Sequence, residues 1–143
     1  MSDILTDIRQ LLLAFPDVTD LVETRIRPHQ ADSTDGTQDL IILDLPDADQ
    51  WNTLDSNGFV NGDVVVEARS TDKARAAAIA EAVRTQNETP SAGLDGYRGP
   101  AGTGTIIQSL RLEYSQAHLD DDDSDSDVIY TATTLYSIWY QSR

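Results

Sequence analysis

Apolar residues at the start of the chain recur at intervals of three and four, which is the spacing of one helix face. They are Ile4, Leu5, Ile8, Leu11, Leu12 and Phe15. Ser2 is placed to cap this helix, and Pro16 ends it. One further helical turn is predicted at residues 18–23. A short edge strand follows at residues 25–30, because Pro28 has no N–H to donate to a sheet ladder.

Four later segments read as strands, because they are rich in β-branched and aromatic residues or alternate between apolar and polar positions. They span residues 39–46, 63–70, 105–119 and 128–143. Residues 47–62 contain Asp, Asn and Gly around Trp51 and Phe59, and are predicted to form a long connection.

Two of these strands have faces that the alternation assigns, since successive side chains in a strand point to opposite sides. In the strand 63–70, one face carries Val64, Val66 and Ala68, and the other carries Val65, Glu67 and Arg69. In the strand 105–119, one face is predicted to carry Leu110, Leu112 and Tyr114.

The segment STDKARAAAIAEAVRTQ, residues 70–86, predicts a second long helix, because alanine fills it. Ser70 or Thr71 is expected to cap it, with Asp72 in its first turn. Its narrow face of small residues suits close packing on a sheet or on a neighbouring helix. That face consists of Ala76, Ile79, Ala80 and Val83.

The order of these segments favours the α+β class. Strands and helices are grouped rather than alternating, which is typical of a largely antiparallel sheet. The length of 143 residues favours one domain over residues 1–143. We therefore expect a mostly antiparallel sheet packed with the N-terminal helix and the central Ala-rich helix.

The stretch LDGYRGPAGTG, residues 94–104, superficially resembles a glycine-rich phosphate loop. Such loops lead from a strand into a helix N-terminus. Here the order is helix, loop, strand, and no Gly-Lys-Ser/Thr follows Gly104. The stretch is better explained as a turn in which glycine supplies positive φ. This reading predicts exposed side chains for Tyr97 and Arg98, which suit a protein interface.

The charge of the chain limits its partners. It has 25 acidic and 10 basic residues and a net charge of −15. Such a surface repels nucleic-acid phosphates and anionic membranes at ordinary salt. Lys73 is the only lysine, and an Asp-rich, Lys-poor surface is what we expect of a halophilic protein that works in molar salt. The alternative is an ordinary acidic protein with one acidic loop.

This charge predicts a salt-dependent stability. At molar salt the Debye length falls to about 3 Å, so repulsion between the clustered carboxylates is screened. We expect a higher Tm in molar potassium chloride than in dilute buffer, measured by a circular dichroism melt in each. Equal Tm values would contradict the halophilic interpretation.

No motif in the sequence points to catalysis, a cofactor or a metal. There is no cysteine, which excludes disulfides and thiolate metal ligands. His29 and His118 lie far apart in the chain, and no HExxH, GxSxG or kinase-like motif is present. The N-terminus lacks the basic region of a signal peptide, and no apolar run is long enough to span a membrane. We therefore predict that the protein is not an enzyme.

The run DDDDSDSD, residues 120–127, is predicted to be a flexible acidic loop. Asp121, Asp123 and Asp125 have the 1-3-5 spacing of an EF-hand loop. However, Ser126 replaces the glycine and Ala132 the glutamate of that motif. A hydrated loop is therefore favoured over a calcium site.

Aromatic residues lie in the central connection and at the C-terminus. They are Trp51, Tyr130, Tyr136, Trp139 and Tyr140. Base stacking would require a basic groove beside them, which this acidic chain lacks. They are better explained as core or subunit contacts.

The whole layout resembles a known family. The segments that carry the resemblance are VVVEARSTDKARAAAIAEAVR, then LDGYRG, then IIQSLRLEY, and a closing YTATTLYSIWY strand. In this order they are similar to the tail-completion proteins of long-tailed viruses (siphoviruses) and gene transfer agents. These are the tail terminator, or head-to-tail joining, proteins. The acidic loop 120–127 and the Asp-rich region 31–63 depart from the usual pattern.

The resemblance implies a structural role in a virion. Members of that family form a ring, usually of six copies, on the end of the tail tube at the head–tail junction. The ring stops tube growth and presents a surface to the neck proteins, while DNA passes through its centre without specific binding. The implied partners are further copies of the chain, the tail tube protein and a neck protein. The implied location is the virion, with the host cytoplasm during assembly.

Ring closure requires that one face of a subunit meets a different face of the next. The predicted interface residues lie on the Ala-rich helix, the glycine-rich turn and the last strand. They are Ala76, Ile79, Ala80, Val83, Tyr97, Arg98, Tyr136, Trp139 and Tyr140. Two alternatives remain open: another neck or tail component, such as a stopper, tube or minor tail protein, and an acidic soluble binding module.

Overall fold

A computed structural model of the chain describes residues 4–30, 38–45, 52–53, 59–85, 93–102, 104–121 and 128–142. These residues form three helices: α1 Ile4–Leu13, α2 Pro16–Val22 and α3 Lys73–Arg84. They also form the strands β1 Ile26–Pro28, β2 Leu40–Asp44, β3 Asn52–Thr53, β4 Phe59–Ser70, β5 Gly99–Ala101, β6 Thr105–Asp121 and β7 Val128–Ser142.

The strands form one sheet in the order β1-β2-β4-β7-β6-β5, and β3 pairs with β4 beside this path. Only β1 and β2 are parallel among the described pairs; every other pair is antiparallel. The long β6–β7 hairpin and β4 form the centre of the sheet. The predicted α+β class with a mostly antiparallel sheet is confirmed.

All three helices contribute to one hydrophobic core against one face of the sheet. The six apolar residues predicted for the first helix face are at most 9% exposed. Helix α1 contacts β1 and β2 at one end of the sheet and β5 at the other, while α3 contacts β4 and β7. The sheet therefore curls around α1.

The N-terminal helices differ from the prediction at their junction. Pro16 does not only end α1 but also begins α2, which is seven residues long. Proline suits the first helical position, because the N–H that it lacks would have no partner there. The predicted cap Ser2 lies outside the described residues.

Helix α3 confirms the predicted element but corrects its cap. The cap is Asp72, whose Oδ1 accepts a hydrogen bond from the backbone N of Ala74 at 3.0 Å. Ser70 instead accepts from the N–H of Asp72. Asp72 fits because a carboxylate both satisfies a free N–H and favours the positive end of the helix dipole.

Strand β4 begins earlier than predicted. It starts at Phe59, and Asn61 and Val60 pair with the short strand β3. The interpretation of residues 47–62 as connection was therefore wrong for 52–53 and 59–62. The predicted alternation within β4 is confirmed: Val64, Val66 and Ala68 are fully buried, and the residues between them are half-buried.

Strand β6 contains two irregularities that the alternation did not predict. The register with β7 shifts between Ile107 and Ser109 and again between Leu112 and Tyr114. Leu112 pairs with the buried Tyr136, whereas Tyr114 pairs with Leu135 on the opposite face. The prediction that Tyr114 shares a face with Leu110 and Leu112 was wrong, because a bulge adds a residue and reverses the alternation.

Candidate assembly surfaces

The nine predicted interface residues do not form one surface. Four of them are at most 2% exposed and belong to the chain's own core: Ala76, Ile79, Val83 and Tyr136. Ala80, Tyr97 and Tyr140 are partly buried and pack against that core. Only Arg98 and Trp139 are exposed. The small-residue face of α3 therefore packs on the sheet, which was one of its two predicted uses.

Tyr136 shows the effect of this burial most clearly. Its side chain is fully buried on the core face of β7. Its hydroxyl has no hydrogen-bond partner among the described residues. Loss of water around a phenol disfavours its charged form, so burial raises the pKa of Tyr136 above its ordinary value.

This burial predicts a fall in stability at alkaline pH. The stabilisation that the buried, neutral phenol of Tyr136 contributes is fully present below the unfolded pKa of 10.0. It is lost as the pH rises toward the raised folded pKa. Between those values the free energy of unfolding should fall by up to about 1.4 kcal/mol per pH unit. Urea unfolding of the wild type and Tyr136→Phe at increasing pH should show a shallower slope for the variant. Parallel slopes would contradict a buried, neutral phenol.

The glycine-rich turn is held by its own backbone. The N–H groups of Leu94 and Asp95 donate to the carbonyls of Val83 and Arg84 at the end of α3. The N–H of Gly96 donates to Leu110 O at 2.7 Å, and that of Tyr97 to Leu94 O. Because these amides are already bonded within the chain, they do not form a phosphate cradle.

The same turn covers part of the outer edge of β6. Asp95 Oδ1 accepts from the N–H of Leu112 at 3.0 Å, and the Tyr97 hydroxyl donates to Pro100 O at 2.6 Å. Gly96 has φ +84°, the left-handed conformation that glycine adopts without strain. The predicted turn is confirmed at residues 94–98 but wrong for Gly99–Ala101, which form β5. Tyr97 is partly buried, whereas Arg98 is exposed.

Helix α1 forms side-chain hydrogen bonds to both ends of the curled sheet. Thr105 Oγ1, at the start of β6, donates to the buried carboxylate of Asp7 at 2.6 Å. Two residues after Asp7 on the same helix, Arg9 Nε donates to the carbonyl of Ile26 in β1 at 2.8 Å. Asp7 is 2% exposed, so this hydrogen bond stabilises a carboxylate that burial alone would penalise.

The face of β6 and β7 that points away from the helices carries aromatic side chains. Trp139 is 39% exposed and Tyr114 is 50% exposed, the most exposed large apolar residues of the described chain. The register places Trp139 beside Ser109 and Asn61, and Tyr114 beside Leu135. Arg111 is exposed on this face opposite Ser137. We call this surface, formed by Arg111, Tyr114, Leu135 and Trp139, the outer face.

A cleft of about 340 Å³ lies on the other side of the molecule, between α2 and α3. Leu21, Ala78 and Ala82 provide its apolar residues, and Asp17, Asp20, Glu81 and Thr85 complete its lining. A hydrogen bond from Arg84 lowers the pKa of Glu81, which keeps that carboxylate charged. We call this surface the α2–α3 cleft.

The described residues contain no group of side chains arranged to hold a metal ion. No three His, Asp or Glu side chains within the described ranges converge on a position for a metal ion. His29 Nδ1 lies 3.2 Å from Asp44 Oδ1, in a pair that is largely exposed at the sheet edge. None of the helices in the described part of the chain has the length and apolarity to cross a membrane. Residues 122–127 of the predicted acidic loop lie outside the described residues.

Of the residues that form these two surfaces, the sequence predicted only Trp139 as an interface residue. Tyr114 was predicted to share a face with Leu110 and Leu112, because a bulge leaves no local mark in the sequence, and Arg111 lies between two such irregularities. Asp20 was read only as part of a helical turn. The exposed Trp139, by contrast, follows from alternation with the buried Tyr136 and Ile138.

Comparison with known proteins identifies a shared fold. No protein-family model matches the chain, and no curated protein matches it. Among solved structures, the chain is similar to one from the virion of a native gene transfer agent particle. The two chains are 18% identical and superpose with a TM-score of 0.67, over 97% of this chain and 95% of the other.

Proposed function

We propose that this chain is a structural virion protein without catalytic activity that acts as a tail terminator at the head–tail junction. Six copies form a ring on the end of the tail tube, stop its growth and join it to the neck. The observation that carries the proposal is the fold shared with a gene transfer agent virion chain over nearly the full length of both.

The surfaces support an assembly role. The outer face and the α2–α3 cleft differ in chemistry and share no residue, so they can form the two different contacts of a head-to-tail ring. The described residues hold no converging set of metal ligands, and the backbone amides of residues 94–97 are bonded within the chain. We therefore assign these two surfaces to contacts between proteins.

The charge supports passage of DNA through the ring. A net charge of −15 disfavours contact with phosphates, so DNA can slide through the bore without being held. The ring thus needs no basic groove, and sequence-specific DNA binding is not part of the proposed function.

The proposal is tested with polymerised tail tubes of the particle and the purified chain in molar salt. We expect the chain to bind only at tube ends, to stop further elongation, and to run as a ring of about 94 kDa, six times 15.7 kDa. Electron microscopy of labelled chains locates the binding, and tube length after adding fresh subunits measures elongation.

Three outcomes would contradict the terminator role. Binding along the tube wall would indicate a tube subunit. Binding only to neck proteins would indicate a stopper. A monomer that binds neither tubes nor neck proteins would indicate an acidic binding module. A preparation heated until unfolded is the control for non-specific attachment.

A further inference from the structure

We propose that the outer face of one copy docks into the α2–α3 cleft of the next copy, with Trp139 as its central apolar contact. This inference rests on the proposed ring and assigns the two surfaces that close it. The occupant of the outer face is therefore a second copy of this chain.

The outer face has the composition of an interface. Its two aromatic side chains, Tyr114 and Trp139, are the large apolar groups that the described chain leaves most exposed. Aromatic residues and arginine are enriched at protein interfaces, where they supply most of the binding energy. Arg111 lies on the same face, two residues from Ser109, the pairing partner of Trp139.

The charge of Arg111 is available for a partner. Acidic residues outnumber basic ones by 25 to 10 in this chain. Arg25, Arg69 and Arg84 each pair with a carboxylate. Within the described residues Arg111 forms no such pair, although carboxylates are abundant. A carboxylate of another copy can therefore form an ion pair with Arg111.

The α2–α3 cleft complements this face. It presents apolar surface from Leu21, Ala78 and Ala82 to an aromatic ring, and it carries the exposed carboxylate of Asp20 to attract the guanidinium. The other exposed carboxylate of the cleft, Glu81, is already bonded to Arg84, so Asp20 is the expected partner of Arg111. Opposite charges across an interface set its orientation and exclude wrong pairings.

Edge-to-edge pairing of sheets is a poorer way to join copies. At the β1 edge, Pro28 has no N–H, and the carbonyl of Ile26 already accepts from Arg9. This edge cannot continue the sheet into a second copy. Copies in a ring are therefore expected to meet through the faces of the chain, not through the edges of their sheets.

The first test blocks each surface separately. Trp139→Ser truncates the outer face, and Ala78→Trp fills the cleft from an exposed helix position. The matched control is Ala77→Trp, which is also exposed on α3 but does not line the cleft. Sedimentation in molar potassium chloride over a concentration series is expected to give oligomers for the wild type and the control, and monomers for both blocking variants.

Mixing the two blocking variants tests whether the outer face of one copy binds the α2–α3 cleft of another. The intact cleft of Trp139→Ser accepts the intact outer face of Ala78→Trp, and the remaining two surfaces are blocked. We expect one species of about 31 kDa, two copies of 15.7 kDa, and nothing larger. Pairing in the mixture also shows that both variants are folded. Monomers only, or larger assemblies, would overturn the proposal.

A second variant tests the charge contact. Arg111→Glu should raise the dissociation constant between copies at least tenfold, and adding Asp20→Lys in the same chain should restore part of the affinity. Lys73→Glu is the matched control, because it makes the same charge change at an exposed position. An equal effect of Lys73→Glu, or a wild type that stays monomeric at all concentrations, overturns the inference. Rings that form through these surfaces but ignore tube ends would instead refute only the proposed function.

Discussion

Replacing Gly102 by alanine is expected to lower the free energy of unfolding by about 3 kcal/mol. Gly102 has φ +59°, a conformation that costs an L-residue energy. In addition, a Cβ at this position would lie 2.7 Å from Cγ and 3.1 Å from Cα of Asp7. Because Asp7 is buried and bonded to Thr105, it cannot move aside without breaking the contact between α1 and β6.

The control for this variant is Gly96→Ala. Gly96 also has positive φ, at +84°, but an added Cβ there meets nothing within 4 Å. Its cost should be the backbone strain alone, about 1 kcal/mol. Urea denaturation in molar salt measures both variants.

A double-mutant cycle separates the strain from the collision. In an Asp7→Ala background the carboxylate is gone, so Gly102→Ala should cost only about 1–2 kcal/mol there. Equal costs for Gly102→Ala in both backgrounds, or equal costs for Gly96→Ala and Gly102→Ala, would show that Asp7 does not lie against Gly102.

Replacing Leu12 by alanine is expected to cost about 3 kcal/mol of folding free energy. Leu12 is fully buried on the face of α1 that the curled sheet surrounds. Truncation leaves a cavity between α1 and the sheet, and a close-packed interior relaxes into such a cavity only in part. Thermal and urea unfolding in molar salt measure the change.

Leu13→Ala is the matched control for this prediction. Leu13 is the neighbouring residue on the same helix, but it is only partly buried at the margin of the core. Its truncation removes the same atoms and should cost about 1 kcal/mol or less. If Leu12→Ala and Leu13→Ala lower the free energy of unfolding equally, the orientation of α1 against the sheet is wrong.

The sequence predicted elements whose pattern is local. The face of α1, the alternation of β4 and the alanine-rich α3 depend on periods of 3.6 and 2 that a short window contains. The glycine-rich turn was also predictable, because Gly96 and Gly102 adopt the positive φ that glycine allows. These local patterns were sufficient for the α+β class.

Long-range and irregular features were not predictable. The hydrogen bond between Asp7 and Thr105 joins residues 98 positions apart, and no periodicity links them. The bulge between Leu112 and Tyr114 inserts one residue into strand β6, and no residue type at that point marks it. It moves Tyr114 away from the face that it was predicted to share with Leu110 and Leu112, so the sequence did not reveal the outer face.

The small residues of α3 illustrate how one pattern fits two uses. Ala76 and Ile79 were assigned both to close packing on the sheet and to contact with another subunit. Their burial against β4 and β7 shows the first use. The exposed side of the same helix, at Ala78, lines the α2–α3 cleft. The proposed interface therefore still includes α3, but through its exposed side at Ala78 and not through the buried side at Ala76 and Ile79.

The most direct test of the proposed role is a density map of the intact particle that carries this chain. We predict six copies in a closed ring between the capsid and the upper end of the tail tube, each with Trp139 seated between α2 and α3 of its neighbour. Complete particles with this chain absent from that junction, or with copies found only along the tube or in the capsid shell, would contradict the proposal.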